Sequence, residues 1–179
     1  MRPSNSYLGS LLPRVRARIE SRYGIAVSFV AIPPPFTGDL DGAEVRIHQA
    51  HESDAALFTL AHLFGHTVQW NTSERARLIG GNEPGRYTAA ELAEVRAYER
   101  EASRYGLQLL HEAGIADLDG WLSDFAAADL AFLAHYYATG ERQPVADFWV
   151  DGQPLLQPLA IPAFQPRRFK FRWDGVVVQ

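Results

Sequence analysis

With 179 residues, 47% of them hydrophobic, the chain has the material for one well-buried core and not for two independent ones. A formal charge of −4 leaves no basic footprint of the kind that holds nucleic acid, so none is expected as a partner. The absence of cysteine excludes disulfides, thiolate zinc sites and a cysteine nucleophile; His, Asp and Glu remain as the strong metal ligands, and a reducing cytoplasm fits.

Residues 1–7 have no apolar stretch of the signal-peptide kind, and charges or prolines cut every later apolar run, so the chain reads as soluble and unprocessed, with no membrane partner. Leu8, Leu11, Leu12, Val15 and Ile19 recur at helical spacing and predict an amphipathic helix over residues 6–22, stopped by Gly24. The β-branched and aromatic run 25–32 predicts a strand that ends against Pro33-Pro34-Pro35. Asp41-Gly42, between 36–40 and 43–48, signals a hairpin, and with the preceding strand it predicts a small antiparallel sheet. Ser53 or Asp54 caps a helix to about Trp70; Leu57, Leu60, Ala61, Phe64 and Val68 fall on one side of it, His62, His66 and Gln69 on the other. Residues 71–87, with Gly80-Gly81-Asn82 and Pro84-Gly85, read as a long loop that forms a rim or lid. Thr88-x-x-Glu91 is a capping box that opens a helix to about His111. Asp117 or Asp119 caps a further helix over 121–138, stopped by Gly140. The proline-rich stretch 143–165 winds over the surface, and 168–178 reads as a short hairpin around Asp174-Gly175. The expectation is one α+β domain over residues 1–179, with its core in about 6–140 and a tail over 141–179.

Ala61-His62-Leu63-Phe64-Gly65-His66 places two histidines four apart on one helix face. That is the ligand spacing of the zinc-hydrolase pattern H-E-x-x-H, where the histidines hold Zn²⁺ and the glutamate deprotonates the metal-bound water. Here Leu63 occupies the general-base position. Two imidazoles leave a catalytic zinc one protein ligand short. On the helix after the capping box, Glu99 shares the apolar face of Val95, Tyr98, Ala102, Gly106 and Leu109, where a carboxylate without a partner is costly. Glu94 and Glu101 point aside, and Glu91 serves as a cap. A metal is one partner for Glu99; an arginine such as Arg96 or Arg46 is another. Imidazole and carboxylate suit several divalent ions besides zinc.

The order of parts resembles the ImmA/IrrE-like zinc metallopeptidases, which are glutamate-ligand zincins. The resemblance spans roughly residues 6–110: a helix, a strand, a hairpin ending in Val45-Arg46-Ile47-His48, the histidine helix, and Glu99-x-x-Ala102-x-x-Tyr105-Gly106-x-x-Leu109-Leu110, which looks like the family's E-x-x-A-x-x-F-A-x-x-L-L. It implies a zincin-like fold, a small sheet over a helical core with two metal-bearing helices side by side, and zinc held by His62, His66 and Glu99. The departure at Leu63 removes a base of a kind typically worth ~10²–10⁴-fold in rate. No helix-turn-helix of the sort many members carry is legible here.

Three functions follow as expectations. The first is a degenerate homologue that binds zinc, lacks conventional peptidase activity and acts in binding or regulation, with a protein or peptide partner. The second is a zinc hydrolase with a substitute base, for which Glu52, His51 and Glu83 are candidates, with Tyr98 or Tyr105 polarising a carbonyl and Gln69 orienting a water or ligand. The third is a metal-free interaction module. Its working surface is the alternation of cations and aromatics over 167–173, which otherwise simply buries Phe169, Phe171 and Trp173. His111 and His135 read as structural, and Trp121, Tyr136 and Tyr137 as core.

Overall fold

A computed structural model describes residues 2–33, 36–81, 87–169 and 176–178. Helix α1, Asn5–Arg18, is capped by the Ser4 hydroxyl and runs on through a π-type turn, Ile19–Tyr23, to Gly24. Strands β1, Ala26–Val30, β2, Phe36–Leu40, and β3, Glu44–His48, come next; helix α2, Ser53–Thr72, follows them. Then come α3, Glu74–Gly80, α4, Ala89–Glu112, α5, Asp119–Thr139, a 3₁₀ turn at Val145–Phe148, and β4, Val176–Val178. The fold is therefore mixed α+β, as expected.

The sheet order is β1-β3-β2-β4, and the sheet is mixed rather than antiparallel. β2 and β3 form the expected hairpin, in which the Asp41 carboxylate accepts from the backbone N–H of Ala43 and Glu44. Gly42 takes a φ of 92°, and a Cβ there would also strike Arg167 O, so this turn needs glycine twice over. β1, however, lies parallel to β3, pairing Val27 with Val45 and Phe29 with Ile47. β3 has inserted between β1 and β2, because burying Val27, Val45 and Ile47 on one face is satisfied by either neighbour order. β4 adds antiparallel to β2, while residues 170–175, which hold most of the predicted C-terminal hairpin, lie outside the described residues.

Helix α2 is the axis of the molecule. Every residue from Ala56 to Trp70 is buried, because α1, the sheet and α4 enclose it on different sides. The contact with α4 is made by glycines. A Cβ on Gly65 would overlap Ala102 O, and one on Gly106 would stand 2.7 Å from Ala61 O. The pairing of 65 with 102 and 61 with 106 makes the two helices antiparallel, with their backbones close enough for short side chains to meet across them.

Four further expectations need correction. Neither Ser53 nor Asp54 caps α2, whose N-cap is Glu52. Residues 71–87 are not all loop: the Ser73 hydroxyl caps the seven-residue α3, too short for periodicity to reveal. Neither Asp117 nor Asp119 caps α5, whose N-cap is Leu118; Asp117 accepts from Tyr7 Oη, and Asp119 pairs with His111 at 2.7 Å. The tail does more than cover the surface. Leu156 is buried, Leu156 N donates to Ser123 Oγ, Gln153 N to Asp124 Oδ1 and Leu159 N to Arg104 O, so it is strapped across α4 and α5.

Candidate metal centre

On α2, His62 and His66 share a face by i, i+4 spacing, and the close α2–α4 approach sets Glu99 against both. The separations are 2.9 Å from His62 Nε2 to Glu99 Oε2, 3.1 Å from His66 Nε2 to the same oxygen, and 3.0 Å between the two Nε2 atoms. Two ligand atoms bound to one tetrahedral zinc ion at 2.0–2.2 Å stand about 3.3–3.6 Å apart, so this triangle is a few tenths of an ångström tighter than a bound ion would set it. Among the described residues these three are the His, Asp or Glu side chains that converge in this way.

The second ring nitrogens decide what the first ones present. Ser103 Oγ donates to Glu99 O, so toward His62 Nδ1, 3.1 Å away, it acts as an acceptor and the ring carries its proton on Nδ1. Gln69 Nε2 donates both to Tyr98 O and to the Glu101 carboxylate, which orients the amide and leaves Oε1 to accept from His66 Nδ1–H at 2.9 Å. Both Nε2 atoms then carry lone pairs, and they point at each other and at a carboxylate oxygen. Three acceptors facing one point without a donor need a cation, and second-neighbour partners that fix the tautomer are what metal-binding histidines have. The rings are held from outside as well: Phe58 stacks on His62 at 5.3 Å and Tyr98 on His66 at 4.3 Å.

Glu99 carries the charge. Burial pushes its carboxyl up; when protons rather than a metal occupy the two Nε2 positions, positive charge on His66 and hydrogen bonds from His62 and His66 outweigh burial and hold the group well below the usual carboxylate range. The arginines considered as its partners are not used: Arg46 pairs with Asp39, and no ion pair joins Arg96 to Glu99. Around Glu99 the phenols stay protonated, Tyr98 and Tyr137 both being raised first by burial and then by this carboxylate.

Leu63 is buried and faces away from the triad, with its Cδ1 2.7 Å from where a Cβ would stand on Gly38 of β2. The general-base position is thus part of the helix-to-sheet packing. Of the substitute bases weighed from the sequence, His51 and Glu52 are engaged elsewhere. His51 Nε2 lies 3.1 Å from Thr37 O, Glu52 accepts from Asn5, and Glu83 lies outside the described residues. Tyr98 Oη accepts from Trp70 Nε1, and Tyr105 sits in the core. Trp121 packs in the core against Phe125, whereas Tyr136 and Tyr137 are only half-buried at the other end of α5.

A cavity of ≈180 Å³ opens beside His62 and Glu99. Ser103 and the exposed Arg100 continue its wall on α4; Asp129 and Leu130 of α5 and Leu156 of the tail close the other side. Asp129 is the site residue that sequence reading missed. It falls in helical register with Leu122, Phe125 and Phe132, all buried, so a carboxylate on the core face of α5 was the available signal. Its carboxyl is raised to about 7, chiefly by burial.

Compared with protein-family models, with curated proteins and with solved structures, the chain matches none.

Proposed function

We propose that this protein is a zinc-binding relative of the glutamate-ligand metallopeptidases in which the glutamate-assisted route to peptide hydrolysis is lost and binding of a protein or peptide partner is retained. The observation that supports the metal is the convergence of His62 Nε2, His66 Nε2 and Glu99 Oε2, three acceptors 2.9–3.1 Å apart with no donor among them. The observation that supports loss of the ordinary route is Leu63, buried against β2. When bound, the ion supplies Lewis acidity and makes a water nucleophilic near neutral pH. His62, His66 and Glu99 would hold it, with Ser103 and Gln69 orienting the two imidazoles, beside the cavity that His62 and Glu99 line. Elemental analysis of untagged protein tests this. One zinc per chain is expected, and none in the His62→Ala/His66→Ala variant; a wild type that takes up no zinc at neutral pH overturns the reading.

A second reading, a zinc hydrolase with another proton acceptor, is favoured by the cavity: it reaches His62 and Glu99 and has an acidic side chain in its opposite wall.

A further inference from the structure

The carboxylate that position 63 lacks is present on another helix. Asp129 is 4% exposed, lines the cavity that His62 and Glu99 also line, and has no hydrogen bond or ion pair among the described residues. Burying a carboxylate without a partner is costly, and every other buried position on this face of α5 near it, Leu122, Phe125 and Phe132, is apolar. Packing therefore does not explain the residue. Nor is it a fourth ligand, since it stands outside the convergent group of His62, His66 and Glu99. What remains is a role toward whatever occupies the space between.

We propose that Asp129 is the proton acceptor of this site and does from α5 what a glutamate at position 63 would do from α2. The proposal rests on the zinc reading above and names the reaction class of the same centre, hydrolysis of a small acyl substrate. A water in the cavity gives an O–H proton to the Asp129 carboxylate while its oxygen forms a bond to the acyl carbon. The bond from that carbon to the leaving oxygen or nitrogen then breaks, and Asp129 returns the proton to the departing atom. The carboxylate ends as it began, and no other reactant is consumed. The size of the cavity limits the acyl group to a few heavy atoms: an apolar cavity of about 150 Å³ admits benzene, and this one, at ≈180 Å³, is little larger.

The test uses the full chain loaded with zinc and 4-nitrophenyl acetate as the probe ester. Zinc content is measured first, so that a protein without metal overturns the zinc reading, and this one with it, before any ester is added. With one zinc per chain in both proteins, Asp129→Asn is expected to lower kcat/KM by about 10²–10⁴-fold, and Asp129→Glu to restore part of the loss. A second readout is independent of turnover. In the cobalt-substituted protein, followed by its visible absorption, acetohydroxamic acid must surrender a proton to bind, and its affinity is expected to fall about tenfold or more in Asp129→Asn. Azide, already an anion, is expected to bind that variant no more weakly than the wild type, since a negative charge has been removed from its surroundings. Opposite responses of the two probes separate proton acceptance from a purely structural role. A wild type that hydrolyses the ester no faster than its zinc-free form, or a variant that matches the wild type with both probes, overturns the proposal.

Discussion

At the scale of single residues, the centre depends on where two protons sit. Ser103 and Gln69 place them on Nδ1 of His62 and His66, and this turns both Nε2 lone pairs inward. Neither residue touches the metal position, yet Ser103→Ala and Gln69→Leu are each expected to weaken zinc binding by roughly 10–100-fold, as loss of such partners does elsewhere. Competition against a chromophoric chelator measures this, and unchanged affinity in both variants would mean that the tautomers are set by something else. Asp129 makes a different prediction, about stability. Its folded value of about 7 lies above the 3.8 of an ordinary aspartate. Between those values the folded protein retains a proton that the unfolded chain has released. This contribution to metal-free stability is complete below about pH 4 and is lost as the pH rises through about 7, a loss on the order of 4 kcal/mol. Asp129→Asn removes the titrating group. In urea unfolding of the apoprotein, the variant should therefore gain on the wild type between pH 4.5 and pH 7.5; a gap that stays constant over that range contradicts the assignment.

At the scale of elements, Gly65 links the packing of α2 and α4 to the chemistry between them. A methyl group at this position would meet backbone rather than a flexible side chain, so Gly65→Ala has to push the helices apart. Overpacking of this kind costs ~1–3 kcal/mol or more. Because Glu99 and the histidines belong to the separated partners, zinc affinity should fall together with the melting temperature. Gly120→Ala is the control: nothing lies within 4 Å of a Cβ in the first turn of α5, and a change of less than about 1 kcal/mol is expected there. If the two variants behave alike, the close approach is not what holds the site.

Much of this pair was legible in the sequence. The i, i+4 histidines, the capping box at Thr88 and the carboxylate on the apolar face of α4 are local signals, and each depends only on spacing within a single helix. What stayed hidden depends on partners distant in sequence. The alternation Val45, Ile47 states which face of β3 is buried, but not that β1 would be its parallel neighbour. Asp129 was visible as a charge among apolar residues, but its meaning comes from the rotation of α5 that brings it opposite Glu99. The seven-residue α3 is capped by a single serine and has too few turns to show a period.

For the molecule as a whole, the candidate ligands and the wall of the cavity come from separate parts of the chain. The antiparallel α2–α4 pair carries the three candidate ligands; α5 and the tail supply Asp129 and Leu156 to the cavity wall. Phe125 of α5 stacks on Phe58 at 4.0 Å, and Phe58 stacks in turn on His62, so the two parts share a packed aromatic seam. The tail is held by apolar packing, with Leu156 buried and Trp149, Leu159, Ile161 and Phe164 half-buried against the core, and pinned by a few polar contacts: the Asp124 carboxylate receives Gln153 N, Ser123 Oγ receives Leu156 N, and Arg104 Nε donates to Gln157 O. Each is worth about 0.5–1.5 kcal/mol net, less than the packing along α2 and α4. Loss of two of them should therefore free the wall without unfolding the metal pair. In the Ser123→Ala/Asp124→Ala variant, limited proteolysis is expected to cut first within residues 150–160, at a rate several-fold above wild type, while helical circular dichroism and the single zinc per chain persist. Wild-type cleavage kinetics would mean that the apolar packing of Leu156, Leu159, Ile161 and Phe164 secures the tail without these polar contacts. Loss of zinc together with the tail would mean that the two halves form one cooperative unit, with the seam from Phe125 through Phe58 to His62 as the element that couples them.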